Sequence, residues 1–405
     1  MNIIWGLFGI IVVLGLGFLF STKKKSLNFR TILVGLAIQI TFAFIVLEWD
    51  LGRAALNWVT MRIQDIINFS QEGATFLFGP LGEPDQFGMI FAFQVLTVII
   101  FFSALISVLY HLGIMQWFIK IIGGGLSKLL GTSQTESMSA AANIFVGQTE
   151  APLVIKPYLK NLTISELFAV MTGGLASVAG SVLVGYSLLG VPLEYLLAAC
   201  FMAAPGGLVM AKIMLPETEE PTTTEKEVEV EEDEKAVNVI DAAAKGAADG
   251  LKLALNVGAM LLAFIALIAL VNGILGGIGG VFGFGGITLE GILGFVFAPI
   301  AFAVGVPWEE AVTAGSFIGQ KLVLNEFVAY SAFAPQIDIL SDKTVLVVSF
   351  ALCGFANFSS MAILLGGLGG LAPSRRNEIA KIGLRAVAAG MLASLLSASI
   401  AGMFF

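Results

Sequence analysis

Two short stretches hold the residue types and spacings that could do chemistry. In Gly147-Gln-Thr-Glu-Ala-Pro-Leu153 an ionisable Glu150 and two polar neighbours, Gln148 and Thr149, stand between the backbone breakers Gly147 and Pro152. Further on, Asn325-Glu326 follows Gln320-Lys321 and precedes Pro335. Both stretches interrupt sequence that is otherwise apolar. A carboxylate at membrane depth costs about 2.5–3.5 kcal/mol on insertion scales, so it usually marks a function. Broken backbone at that depth survives only where it is buried in protein or lines a cavity. The reading is a solute site inside a bilayer.

The elements that must position these residues are membrane helices. The chain has 405 residues, 57% hydrophobic and only 12% charged, against about 25% charged in soluble domains. Its mean hydropathy is +0.94. The class is an all-α polytopic membrane protein with about eight transmembrane helices, since each span takes ~20 residues. The 47 glycines let such helices approach closely. The net charge of −8 is local: Glu217–Lys235 carries ten acids and two lysines, so the low pI says nothing about nucleic acid. Cys200 and Cys353 read as small core residues, and the single histidine, His111, as interfacial. Ile3–Phe20 lacks a basic n-region and a cleavage site, so it reads as a retained first span.

Residues 1–112 form three scaffold spans, with a mixed stretch, Glu48–Phe87, that contains an amphipathic piece around Trp58–Phe69. Residues 113–215 form a first repeat. Gly113–Leu130 lies at the interface, and Ser133 and Glu136 have capping-box spacing for a new helix. That helix meets the 147–150 break, and a second leg ends near Lys156-Pro157: a re-entrant hairpin. The next span is discontinuous around Thr172-Gly-Gly-Leu-Ala-Ser177-Val-Ala-Gly-Ser181, and another follows at Leu193–Met214. Residues 216–250 are an acidic cytoplasmic linker, solvated by its charge. Residues 251–286 are a long scaffold helix, about Leu251–Leu275, with a loop-like Gly276–Gly286 end.

Residues 287–405 repeat the pattern. A hairpin carries Asn325-Glu326, a span is broken by Cys353-Gly-Phe-Ala-Asn-Phe-Ser-Ser360, and a last span runs about Ile382–Phe404. Aligning Glu150 with Glu326 brings Gly174 opposite Gly354 with a four-residue difference in loop length. Interrupted segments at corresponding positions of two halves point to a transporter's binding site. With the N-terminus outside, the basic clusters Lys23–Arg30, Lys156/Lys160, Lys212 and Arg375-Arg376/Lys381 all fall inside, as the positive-inside rule requires. Both termini are then outside, and the two hairpins are inverted relative to each other.

The converging groups are Gln148, Thr149, Glu150, Glu326, Asn357 and Ser359/Ser360. A neutral polyhydroxylated ligand suits them best, because a carboxylate acceptor holds a hydroxyl through a strong hydrogen bond. Phe355 adds a flat face for a sugar ring or base. Asn143, the carbonyls near Val146 and Ser177, and the Ser177 hydroxyl form an oxygen-only set suited to sodium rather than a transition metal. Lys321, a turn before Glu326, either alters the local electrostatics or snorkels.

Gly147-Gln-Thr-Glu-Ala-Pro-Leu153, Asn325-Glu-Phe-Val-Ala-Tyr330 and Gly354-Phe-Ala-Asn-Phe-Ser-Ser360 resemble the signatures of the concentrative nucleoside transporter family. The resemblance is nearest to its bacterial sodium-coupled members and covers nearly the whole chain. It implies that Gln148, Thr149, Glu150 and Val182 face the nucleobase, that Glu326, Asn357 and Ser360 hold the ribose, and that Phe355 lines the pocket. Sodium would be held by Asn143, the Val146 carbonyl, Ser177 and the Val178 carbonyl. It further implies a homotrimer in the bacterial inner membrane, with an elevator-type mechanism and uridine-like substrates. The proton-coupled branch has a different first motif, and Glu150-Ala-Pro favours sodium. Another elevator carrier, for dicarboxylates or amino acids, would want arginine at the tips. An intramembrane enzyme would want a His-Glu-x-x-His helix, paired aspartates or a Ser/His dyad, none of which is present.

Overall fold

The computed structural model describes residues 2–83, 88–221, 236–281, 283 and 286–405; most of the acidic stretch Glu217–Lys235 lies outside the described residues. Every regular element among the described residues is helical. Seven helices are long and apolar enough to cross a membrane, or eight if one pair bent by 116° counts as a span.

Five helices come first: α1 (Asn2–Leu19), α2 (Phe29–Ala43), α3 (Asp50–Phe78), α4 (Phe91–His111) and α5 (Ile114–Leu130). The first broken unit is α6 (Gln134–Ala142), a non-helical tip and a 3₁₀ leg (Ala151–Asn161), followed by α7 (Ile164–Ala176), α8 (Gly180–Leu188) and α9 (Leu193–Met214). After α10 (Val239–Val281) and α11 (Leu289–Ala303), the order recurs as α12 (Trp308–Val323), α13 (Glu326–Phe333), α14 (Asp342–Leu352), α15 (Ser360–Leu371) and α16 (Arg376–Ala401). The bent pair is α11 and α12.

Three extents differ from expectation. Helix α3 is one continuous amphipathic element, because its polar residues share a face rather than interrupting the backbone. The second leg of the first hairpin passes Pro157 and reaches Asn161 as a 3₁₀ helix with a kink at Ile155. Helix α10 begins at Val239, well before Leu251, and continues through Gly276–Val281. Its first turns, Val-Ile-Asp-Ala-Ala-Ala-Lys-Gly, hold three alanines, the best helix former, but Asp241, Lys245, Asp249 and Lys252 interrupt the apolar run, so a search for an uncharged span misses them.

The helices divide by burial. The spanning windows of α7 with α8, of α9 and of α16 are 94%, 89% and 89% buried, whereas those of α1, α4 and α10 are 28%, 28% and 22% buried. The first group packs within the protein; the second turns most of its apolar surface outward. Helices α4 and α10 approach through glycine. A Cβ on Gly246 would lie 2.5 Å from Ser107 Cβ, and one on Gly250 would lie 2.8 Å from Ile100 Cα.

Helix α1 serves as a ruler. At its start, Lys343 Nζ donates to Asn2 Oδ1 at 3.0 Å and Trp5 Nε1 to the Phe302 carbonyl at 2.8 Å. Just past its end, the Thr22 N–H donates to the Met214 carbonyl at 3.0 Å and Lys23 Nζ to Thr218 Oγ1 at 2.9 Å. The base of the second hairpin, where Glu310 accepts from Ser341 at 2.8 Å, therefore belongs to one end of α1. The base of the first, where Thr163 Oγ1 donates to Glu217 at 2.8 Å, belongs to the other. Eighteen residues at 1.5 Å rise separate those ends by roughly 27 Å.

The first base is locked by charge. Lys212 Nζ on α9 sits 2.7 Å from Glu136 Oε2 and donates to Ser165 Oγ at 2.9 Å. Glu136 and Glu166 also close capping boxes on Ser133 and Thr163, and Thr135 Oγ1 donates to Glu166 at 3.0 Å. Removing one partner from a buried ion pair leaves the other charge uncompensated. Lys212→Met is therefore expected to destabilise the protein by about 3–5 kcal/mol, with most of the loss recovered in Glu136→Gln/Lys212→Met. Thermal unfolding in detergent checks both variants; a single variant as stable as the parent would contradict the role given to the pair.

Candidate functional site

The four chain breaks close on one another. Each leaves N–H and C=O groups without helical partners, and the partners come from the next break. The Gly180 N–H donates to the Phe145 carbonyl at 3.0 Å, joining the α7/α8 break to the first hairpin tip. The Phe355 N–H donates to the Ser177 carbonyl at 3.0 Å, joining the two broken spans. The Phe358 N–H donates to the Leu322 carbonyl at 3.1 Å, joining the α14/α15 break to the second hairpin. Gly354 is required there, because a Cβ would lie 2.8 Å from Ser394 Oγ and 2.9 Å from the Ala176 carbonyl.

A cavity of ≈ 130 Å³ opens at this junction. All eight expected contact residues line it: Gln148, Thr149 and Glu150 from the first tip, Val182 from α8, Glu326 from α13, and Phe355, Asn357 and Ser360 from the second break. Glu326 heads α13, whose N-cap Asn325 accepts from the Val328 N–H at 2.8 Å; a helix N-terminus favours a carboxylate. Its oxygens are held separately, Oε1 by Tyr186 Oη at 3.2 Å and Oε2 by Asn357 Nδ2 at 3.0 Å. Asn357 Oδ1 in turn accepts from Ser359 Oγ at 2.7 Å and the Ser360 N–H at 2.9 Å. Glu326 is thus fixed, with lone pairs to spare for hydroxyl donors.

The opposite side is less committed. Glu150 Oε2 accepts only the Gly147 N–H, at 3.1 Å, closing its own tip, and its side chain is exposed. Gln148 Nε2 reaches Ser360 Oγ across the junction at 3.5 Å, while its buried Oε1 has no partner. Asn325 Nδ2 is also buried and unpartnered. These open donors and acceptors fit a ligand with both a hydroxylated part and a flat amide-like part. Buried polar groups are rarely left unpaired without such a reason.

The expected cation ligands lie beside the first tip. Asn143 Nδ2 donates to the Ser139 carbonyl at 2.9 Å, which leaves Oδ1 buried without a partner. Ser177 Oγ gives its proton to the Gly173 carbonyl at 3.0 Å and keeps its lone pairs. The Val146 and Val178 carbonyls belong to the two non-helical stretches. An oxygen-only set with an orphaned amide oxygen suits a hard cation.

Sequence reasoning missed two parts of the site. Tyr186, one turn past Val182, is buried behind the cavity and donates to Glu326; a phenol in an apolar span needs a partner there, and that requirement was the available signal. The other part is a wall of Leu253, Val257, Met260 and Leu261 from α10. Its spacing is that of any packed helical stripe and so carries no signal. Lys321 does not snorkel: it is fully buried. Phe358 points away, half exposed, and Cys200 and Cys353 are free thiols in contact at 3.7 Å.

Three family models cover nearly all of the chain: "Na+ dependent nucleoside transporter N-terminus" over residues 8–81, "Nucleoside recognition" over 92–192 and "Na+ dependent nucleoside transporter C-terminus" over 195–402. The chain is 63% identical over 404 residues to the uncharacterized transporter YutK of Bacillus subtilis, with both chains covered in full. It is 50% identical to the nucleoside permease NupC of Helicobacter pylori, covering 98% of this chain and 96% of that one. It also superposes on the structure of CNTnw in an inward-facing substrate-bound state with a TM-score of 0.95 at 53% identity, covering 100% and 98%.

The α10 wall touches the cavity only through apolar side chains, so a bulky residue there blocks the space and leaves the polar network intact. Val257→Trp is expected to weaken binding of any occupant at least about tenfold while the unfolding temperature stays within roughly 3 °C. Equilibrium binding and scanning fluorimetry on the same sample check the pair; undiminished binding would remove α10 from the wall.

Proposed function

The chain belongs to the concentrative, Na+ dependent nucleoside transporter family, and from that premise we propose a sodium:nucleoside symporter that moves uridine-like substrates inward. It is a multi-pass membrane transporter and not an enzyme. The observation that carries the coupled reading is the junction itself. The fixed Glu326–Asn357 pair and the open Gln148–Glu150 tip share one cavity, and the Asn143 oxygen set adjoins that same tip.

In this reading Glu326, steadied by Tyr186 and Asn357, accepts the ribose hydroxyls, and Ser360 assists. The base lies between Phe355 and Val182 and meets Gln148, Thr149 and Glu150. Sodium is co-transported rather than resident. Bound by Asn143, Val146, Ser177 and Val178, it draws the first tip and the α7/α8 break together and so completes the base side. Each sodium entering a negative interior contributes about 2.3 kcal/mol per 100 mV, which drives accumulation of an uncharged nucleoside. Helices α6–α9 and α12–α16 would travel as an elevator against a scaffold that includes α4 and α10; the contrast between the deeply buried α7–α9 and α16 and the outward-turned α4 and α10 supports that division. The two hairpins re-enter from opposite faces, with both termini outside the bacterial inner membrane. Residues 1–112 and 251–286 are scaffold, 113–215 and 287–405 are the inverted repeats, and the assembly is a homotrimer.

Uridine uptake into proteoliposomes is expected to exceed equilibration under an inward sodium gradient and to fall to the leak level when choline replaces sodium. Uptake indifferent to sodium would sink the coupling. Glu326→Gln loses the charged acceptor and is expected to weaken uridine binding by about 2–3 kcal/mol, or roughly a hundredfold. Its partner test is 2′-deoxyuridine, for which the penalty of the substitution shrinks; an equal penalty for both sugars would move Glu326 off the 2′-hydroxyl.

A further inference from the structure

The two repeats end their broken spans differently. In the first, α7 ends at Ala176, and the freed Gly173 carbonyl receives only a hydroxyl, from Ser177 Oγ at 3.0 Å. In the second, α14 ends at Leu352, and the Ala351 carbonyl receives an ammonium, from Lys321 Nζ at 2.8 Å. That ammonium also donates to Ser394 Oγ on α16 at 3.1 Å, and Ser394 Oγ lies 3.2 Å from the Cys353 carbonyl as donor. Tyr330 Oη supplies the Ser349 carbonyl at 2.8 Å. The last carbonyls of a helix carry the negative end of its dipole and attract a cation. The second repeat therefore holds its own cation at this end, on a side chain of the second hairpin. The first offers the unpartnered Asn143 Oδ1 instead.

The carboxylates match this asymmetry. Glu326, five residues along the chain from Lys321, accepts from Tyr186 Oη and Asn357 Nδ2, whereas Glu150 accepts from the Gly147 N–H of its own tip. A buried carboxylate needs compensating charge or several donors, and Glu326 has two donors, one from α8 and one from the α14/α15 break.

We propose that Lys321 is the built-in cation of the second repeat. Its ammonium pins the α12–α13 hairpin to the end of α14, so the Glu326–Asn357 half of the site is assembled whether or not an ion is bound. Lys321 is a positioning residue: it acts on the ligand through Glu326 and through the α14/α15 break. Ion-dependent assembly is confined to the first repeat.

The inference rests on the nucleoside reading, and its test separates the two. Purified full-length protein is titrated with uridine at saturating sodium, and separately with sodium alone, read as a shift in unfolding temperature. Lys321→Met is expected to weaken uridine at least about 30-fold, while its sodium half-saturation stays within roughly threefold of wild type. Lys321→Arg, which keeps the charge, recovers most of the uridine affinity. Uridine affinity unchanged in Lys321→Met would overturn the proposal. A sodium half-saturation that rises in the same proportion would do so too, because the lysine would then support the whole junction. If Lys321→Met does not fold, Ser394→Ala removes one of the two ammonium partners. It is expected to cost about three- to tenfold in uridine affinity at unchanged sodium response, and no loss overturns the assignment. A wild-type protein that binds uridine without regard to sodium defeats the coupling reading alone and leaves the Lys321 comparison intact.

Discussion

The structure depends on the need of broken backbone to find hydrogen-bond partners away from water. Four interruptions sit in apolar surroundings, and none could persist alone, since an unsatisfied amide there costs several kcal/mol. The solution is mutual. The tip of the first hairpin takes the Gly180 N–H, the first broken span takes the Phe355 N–H, and the second hairpin takes the Phe358 N–H. The cavity is what remains where these exchanges leave no room for side chains. Its polar lining follows from the same requirement, because the residues that cap freed helix ends, such as Asn357 and Asn325, also present their remaining groups to the space.

This mutual satisfaction explains why so much of the site was legible. Gly, Pro, Asn and Glu stand out against an apolar background, and their recurrence in the same order, at intervals that differ by four residues, marks two halves of one design. Glu150, Glu326, Asn357 and Ser360 could be picked out because polar residues are scarce there. The parts that stayed hidden are those that look ordinary. Leu253, Val257 and Met260 form a helical stripe like any other, and whether a stripe faces protein, lipid or a cavity is decided only by packing. The start of α10 was hidden for the converse reason, being helical while Asp241, Lys245, Asp249 and Lys252 break its apolar run. Lys321 was visible but undetermined: a lysine in an apolar helix reaches either outward to water or inward to carbonyls, and the choice is made by α14 and α16, far along the chain.

The base of the first hairpin shows a different balance. Lys212, Glu136, Glu166 and Glu217 concentrate charge at one end of a helix pair whose middle is nearly free of it. Such a cluster contributes little net stability compared with apolar packing, yet it strongly resists loss of any one member. Its position also matters. It ties α6 and α7 to α9 at their shared end.

The apolar stripe of α10 closes the cavity without a single polar lining residue: the wall residues are Leu253, Val257, Met260 and Leu261. Recognition is therefore one-sided, since every directional contact comes from the opposite bank. A molecule that satisfies the polar bank but carries a greasy appendage toward α10 meets no electrostatic objection and gains buried area, at ~25 cal/mol per Å². It also fills the space between the two banks of the cavity. Affinity and passage are thus separable properties of a ligand, and the difference between cargo and plug is written on the face of the molecule that the polar residues never touch.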